Sequence, residues 1–289
     1  MSINFRAYYE LTKPRVVMLM LLTALVGMFL AVPGLPPIPL MLWGLIGIGL
    51  SAGGAAVINH LVDERFDAIM RRTQSRPLPT GQVKPIQALI FAVLLSIIGL
   101  SILIFLVNPL TAVLTFFSLI GYAVIYTIYL KHATPQNIVI GGLAGAMPPL
   151  LGWCAITNNI NPNALLLVLI IFVWTPPHFW ALAIHRHKEY QNVAIPMLPV
   201  THGIEFTKLS VFLYTILLIP VSLLPFVFGM ASKIYLIGTT ALDIGFLYWV
   251  CRLTFGKHPA NGIKTFWYSI WYLMILFVVL LVDHYYFLG

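Results

Sequence analysis

Nine predominantly apolar stretches of about twenty residues run along this chain, at roughly 16–32, 39–58, 86–107, 110–130, 137–157, 164–184, 208–229, 233–251 and 265–288. A run of that length crosses about 30 Å of hydrocarbon as an α-helix. Lipid offers no hydrogen bonds to backbone groups, so only helices and closed barrels can span it. Charged residues make up 8% of the chain, against roughly 25% in soluble domains. The expected fold is therefore all-α and polytopic, with residues 1–289 forming one integral membrane domain. The apolar run that follows Arg6, Lys13 and Arg15 resembles a signal peptide. It is long for that role, however, and leads into further spans, so it is read as a retained first helix.

Charge orders the spans. The net charge of +8 would suggest nucleic acid as a partner of a soluble protein, but in a membrane protein it is first tested against topology. With nine spans and the N-terminus in the cytoplasm, every lysine and arginine except Lys233 falls on the inner side, Lys257 and Lys264 included. That bias supports both the count and the orientation. It sets the orientation, with both long polar loops inside and the C-terminus outside; the expected location is the cytoplasmic (inner) membrane of a bacterium. Cys154 and Cys251 lie within apolar spans without C-x-x-C or Cys/His spacing, so they are read as small core residues. Pro148-Pro149 and Pro176-Pro177 are expected to break spans five and six, which proteins tolerate beside a cavity. The glycines of spans two and five mark close helix packing.

The two long inner segments are 59–85, after span two, and 185–207, after span six; their spacing hints at a repeat of four helices. The first opens with three of the chain's eight acidic residues, Asp63, Glu64 and Asp67, within five positions. In a helix, Asn59, Asp63 and Asp67 recur at i, i+4 and i+8 and share one face. A ladder of oxygen donors suits a hard divalent cation that shares its other positions with water or phosphate. Arg71, Arg72 and Arg76 follow and offer charge for the anion. The plainer reading is an acidic helix end solvated outside the membrane.

The spacing N-x-x-x-D-x-x-x-D resembles the first motif of the intramembrane, UbiA-type prenyltransferase superfamily typified by ubiquinone and chlorophyll prenyl transfer. Longer strings resemble its heme-prenylating branch: Leu11 to Arg15, Arg76 to Pro79, Tyr126-Thr127 with Leu130-Lys131, Thr134 to Gly142, Trp174 to Trp180, and Ile195 to Val200. The resemblance implies nine helices around a central cavity, with Mg²⁺ and farnesyl diphosphate used to alkylate a vinyl group of heme B. It further implies metal binding by Asn59, Asp63 and Asp67, with Glu189 as an added candidate. Diphosphate binding would fall to Arg71, Arg72, Arg76, Lys131 and Lys188. The carbocation needs a dry, electron-rich wall, for which Tyr126, Tyr129, Phe179 and Trp180 are candidates.

Where many relatives carry a second Asp-rich motif, this chain offers only Glu189. His178 is the leading candidate for heme contact and His60 the weaker one, each set against a structural, hydrogen-bonded histidine. His132, His202, His258 and His284 are read as interfacial, and Asp243, inside span eight, receives no role. Two rivals stand beside this reading: a prenyltransferase acting on a quinone precursor or other aromatic acceptor, and a transporter gated by the polar loops. A heme-handling partner enzyme is a further expectation.

Overall fold

The computed structural model describes residues 4–192, 195–256 and 258–287, with the side chains of His132 and Phe287 outside the description. The topological assignment of Lys257 and the interfacial reading of His132 therefore lie outside the described residues. Among those residues every regular element is helical, in the order α1 Phe5–Leu11, α2 Pro14–Leu30, α3 Ile38–Ile69, α4 Pro85–Ile102, α5 Pro109–Ile120, α6 Lys131–Ala133, α7 Asn137–Ala146, α8 Pro148–Thr157, α9 Pro162–His185, α10 His187–Asn192, α11 Leu198–Thr201, α12 Ile204–Val227, α13 Lys233–Phe255 and α14 Asn261–Phe287. Leu103–Val107 and Gly121–Leu130 continue α4 and α5 as π-helix. Eight helices are long and apolar enough to cross a membrane, and nine when α1 and α2, bent by 52°, count as one span. All nine sequence stretches are thus helical, because lipid leaves an apolar stretch of this length no other way to satisfy its backbone.

Two boundaries differ from expectation. Span two does not end at residue 58 but continues as one 32-residue helix to Ile69. No proline or glycine interrupts residues 55–76, so nothing stops the helix as it leaves the apolar zone. Pro176-Pro177 does not break span six, since α9 runs unbroken from Pro162 to His185 with both prolines inside. Residues 173–178 are all buried, and their packing holds the helical path although two backbone donors are missing. Pro148 behaves as expected, opening α8 with Met147 as its N-cap just after α7 ends at Ala146.

By internal contacts the chain divides into two units, Met1–Ala31 with Pro36–Leu130 and Met147–Asn159, and Val32–Leu35 with Lys131–Ala146 and Ile160–Gly289. The first unit is built on α3, which packs along α4 and also touches α2 and α8. Small residues make the approach possible: Gly54 faces Ala92 and Ser96, and Gly99 faces Gly47 and Ser51. A Cβ on Gly99 would stand 2.7 Å from the Gly47 carbonyl and 2.9 Å from the Ser51 nitrogen, both backbone atoms. Gly99→Val is therefore expected to cost about 1–3 kcal/mol by overpacking, read as a lower melting temperature in detergent. An unchanged melting temperature would mean the seam can spread.

In the second unit, α9 packs on α12, α7 and α14. Asp243, a costly carboxylate at membrane depth, is satisfied by the Ser222 hydroxyl at 2.9 Å and the Tyr272 hydroxyl at 2.8 Å. It thereby ties α12, α13 and α14 together. Asp283 accepts from the Ser232 and Tyr235 backbone N–H groups at 2.8 and 3.0 Å, and from the Ser232 hydroxyl. Those are orphan donors at the start of α13. Both buried acids of the C-terminal helices thus have structural partners.

Candidate active site

The acidic ladder stands on the last three turns of α3. Asn59, Asp63 and Asp67 are 3%, 5% and 4% exposed, whereas Arg65 between them is exposed. This burial removes the solvated-helix-end reading: carboxylates are almost never buried without a partner. Part of the partnership is supplied within the first unit. Arg76 Nη1 donates to Asp67 Oδ2 at 2.6 Å, a short charge-assisted bond. The Lys13 ammonium donates to Asn59 Oδ1.

The loop after α3 is shaped to deliver Arg76. Thr73 is fully buried, and its hydroxyl donates to the Asp67 carbonyl at 3.0 Å, which turns the chain back at the helix end. Leu78 and Val83 bury themselves in a cluster with Val57, Ala88 and Ala92, so the Arg76-Pro77-Leu78-Pro79 string is pinned on both sides of its turn. Arg71 and Arg72 are exposed, whereas Arg76 is partly buried against Asp67. His60 is also buried, with Nδ1 3.9 Å from Asp67 Oδ2, too far for a hydrogen bond.

The π-helical end of α5 brings a second group to the ladder. Thr127 accepts from Asn59 Nδ2 at 3.2 Å and donates to the Tyr122 carbonyl at 2.8 Å. Tyr122 and Tyr126 stack at 5.6 Å with an interplanar angle of 22°. Tyr129 departs from expectation: it is 71% exposed, beside the exposed Val124, Ile125 and Ile128, on the apolar outer face of its helix. Lys13, Tyr122 and Thr127 were not singled out as site residues from sequence. Lys13 and Thr127 lie within the characteristic strings, but Tyr122 carries no sequence signal, since its place depends on the π register.

The remaining candidates lie in the second unit. Lys131 opens α6, and Lys188 and Glu189 are exposed on the short α10. His178 is buried on α9, stacked between Trp174 at 4.2 Å and Phe266 at 4.5 Å. Its Nδ1 is 2.7 Å from the Ser269 hydroxyl. Phe179 meets the His178 ring edge-on at 4.8 Å, while Trp180 is fully buried against Tyr214. Among the described residues no three or more His, Cys, Asp or Glu side chains gather at metal-binding distance. Any cation on the ladder would therefore rest on two carboxylates and an amide oxygen, with positions left for water or phosphate.

An all-helical chain with eight or nine membrane-crossing helices, and with buried acids and a basic partner at the end of one of them, is an integral membrane protein with a polar site at a helix end. The chain belongs to the UbiA prenyltransferase family, whose model matches residues 20–282. Its relatives include the protoheme IX farnesyltransferase of Legionella pneumophila (strain Corby), 62% identical over 286 residues, spanning 99% of this chain and 97% of that protein. That of Shewanella halifaxensis (strain HAW-EB4) is 61% identical over 282 residues, 98% of this chain and 94% of the relative. Among solved structures, digeranylgeranylglyceryl phosphate synthase superposes with a TM-score of 0.83 at 20% identity, covering 98% of this chain and 99% of the other. A UbiA homolog from Archaeoglobus fulgidus bound to DMAPP and Mg²⁺ gives 0.69 at 17% identity, covering 94% and 98%. At such identities these two structures share the fold.

Proposed function

We propose that this enzyme transfers the farnesyl group of farnesyl diphosphate to a vinyl group of heme B. The buried Asn59-Asp63-Asp67 ladder with Arg76 on Asp67 is the observation that carries the diphosphate half of this reading. The acceptor half is supported by the protoheme IX farnesyltransferases that share 60–62% of its residues over nearly their whole length.

The ladder fits a hard cation. Its donors are carboxylate and amide oxygens, and two of those oxygens already face positive groups, Asn59 Oδ1 the Lys13 ammonium and Asp67 Oδ2 the Arg76 guanidinium. Asn59, Asp63 and Asp67 would hold Mg²⁺, as the Archaeoglobus fulgidus homolog is described with that ion; Glu189 is an additional candidate. The bound ion would supply charge neutralisation at the diphosphate oxygens. Arg76, fixed by Asp67, offers its free guanidinium edge to the same anion, with Arg71, Arg72, Lys131 and Lys188 as further cations. Heterolysis of the allylic C–O bond sends the electron pair to the diphosphate. The stacked Tyr122 and Tyr126 rings offer π-faces to the farnesyl cation, and Phe179 and Trp180 remain candidates for the same wall. A heme vinyl carbon then attacks, and hydration completes the hydroxyethylfarnesyl group.

His178, rather than His60, is proposed to contact heme. Residues 1–289 are proposed as a single prenyltransferase domain of the bacterial inner membrane, with the ladder on the cytoplasmic side and a heme-handling enzyme as partner. The test is incubation of enzyme-containing membranes with farnesyl diphosphate and either heme B or 4-hydroxybenzoate. Farnesylated heme is expected; a prenylated benzoate with unchanged heme would overturn the acceptor assignment.

A further inference from the structure

Asn59 can offer a cation its amide oxygen or turn its NH2 group toward it, and only the first is useful. We infer that Thr127 is the positioning residue that decides between them. This rests on the reading of the ladder as a cation site.

The argument is a count of protons. A threonine hydroxyl has one hydrogen to donate and lone pairs to accept. Thr127 donates its hydrogen to the Tyr122 carbonyl at 2.8 Å, so toward any other neighbour it can only accept. That neighbour is Asn59, whose Nδ2 donates to it at 3.2 Å. A flipped carboxamide would set its oxygen against the hydroxyl lone pairs, two acceptors facing each other at a site where Thr127 is fully buried and Asn59 3% exposed. Lys13 reaches the same conclusion from the opposite side: an ammonium has donors only, and it donates to Oδ1. The two constraints agree, so Oδ1 is held on the side where positive charge already sits.

The π-helix makes this possible. In an α-helix, a residue five positions on is rotated about 140° from the first, five steps of roughly 100°. In the π stretch Gly121–Leu130, i→i+5 pairing brings residue 127 beneath Tyr122. The Thr127 hydroxyl can then bond the Tyr122 carbonyl while facing α3. That carbonyl keeps its π-helical backbone partner if the hydroxyl is removed, so the change targets the amide rather than the helix.

Mn²⁺ titrations of the purified full-length protein, with free Mn²⁺ read by electron paramagnetic resonance and no substrate present, test the inference. Thr127→Val is expected to weaken Mn²⁺ binding about tenfold or more, the usual scale for losing a group that orients a ligand, at a melting temperature close to that of the parent. Thr127→Ser should bind like the parent. In an Asn59→Ala background, Thr127→Val should add nothing, because the route runs through the amide. Thr127→Ala carries the same expectations should the valine variant not fold. Equal Mn²⁺ binding by parent and Thr127→Val, no rescue by serine, or further weakening in the Asn59→Ala background would each overturn the inference. A parent that binds no Mn²⁺, or binds it equally after Asp63→Ala, would instead overturn the cation-site reading.

Discussion

Asp67→Asn is expected to slow farnesyl transfer by about three orders of magnitude while the protein still folds in detergent. The carboxylate has two tasks. It is a candidate donor to the cation, and it orients Arg76 through a 2.6 Å bond that leaves the arginine side chain 24% exposed. Losing one preorganised electrostatic group at a leaving oxygen costs roughly 10²–10³ in rate, and Asp67→Asn removes one such group while loosening a second. Arg76→Lys should cost about tenfold or more, because an ammonium keeps the charge but not the fork that pairs with Asp67 on one edge and phosphate on the other. The two residues work as a unit, so Asp67→Asn combined with Arg76→Ala should be no slower than the worse single variant. The measurement is the initial rate of diphosphate release and of heme farnesylation in reconstituted membranes. Full turnover by Asp67→Asn would remove the ladder from the mechanism, and strictly multiplicative losses would separate Asp67 from Arg76.

The nine spans could be read from sequence because lipid imposes so few solutions: an apolar run of sufficient length has to be a helix. The ladder was legible for a related reason. Acids are so scarce here that Asp63, Glu64 and Asp67 within five positions demand an explanation, and the helical repeat puts Asn59, Asp63 and Asp67 on one face. Hydropathy ended span two too early because it falls where charge begins, although α3 continues to Ile69. Pairing across a turn was equally hidden. All three arginines of the loop look alike in sequence, and the burial of Thr73, Leu78 and Val83 is what turns Arg76 back onto Asp67. Tyr129 was drawn into the expected wall by its aromatic character, but the π register leaves it 71% exposed and stacks Tyr122 on Tyr126 instead. No pattern of residue types announces a π-helix, so the contribution of α5 to the site required coordinates. Asp243 illustrates the reverse case: its cost at membrane depth was plain, but its partners Ser222 and Tyr272 lie 21 and 29 positions away.

His178→Phe should separate heme recognition from diphosphate chemistry. The phenylalanine ring can keep the stack between Trp174 and Phe266, whose planes lie within 20° and 27° of the histidine, so the change removes two nitrogens with little change of shape. Those nitrogens are unequal. Ser269 donates its only hydroxyl hydrogen to the Phe266 carbonyl at 2.7 Å, so at the 2.7 Å contact with His178 Nδ1 the hydroxyl accepts and the ring donates. The proton therefore sits on Nδ1 and the lone pair on Nε2, the form in which a neutral imidazole binds iron. His178→Phe is expected to raise the KM for heme at least about tenfold, equivalent to about 1.4 kcal/mol of lost binding, and to abolish any histidine-type shift in the absorbance of bound heme. Farnesyl diphosphate hydrolysis without heme should stay at the parental rate, because the ladder and its arginines are untouched. Ser269→Ala keeps the ring but frees its tautomer, so it should give a smaller loss of the same kind. Unchanged heme affinity and spectrum in His178→Phe would make the histidine a packing residue and leave heme recognition to other groups.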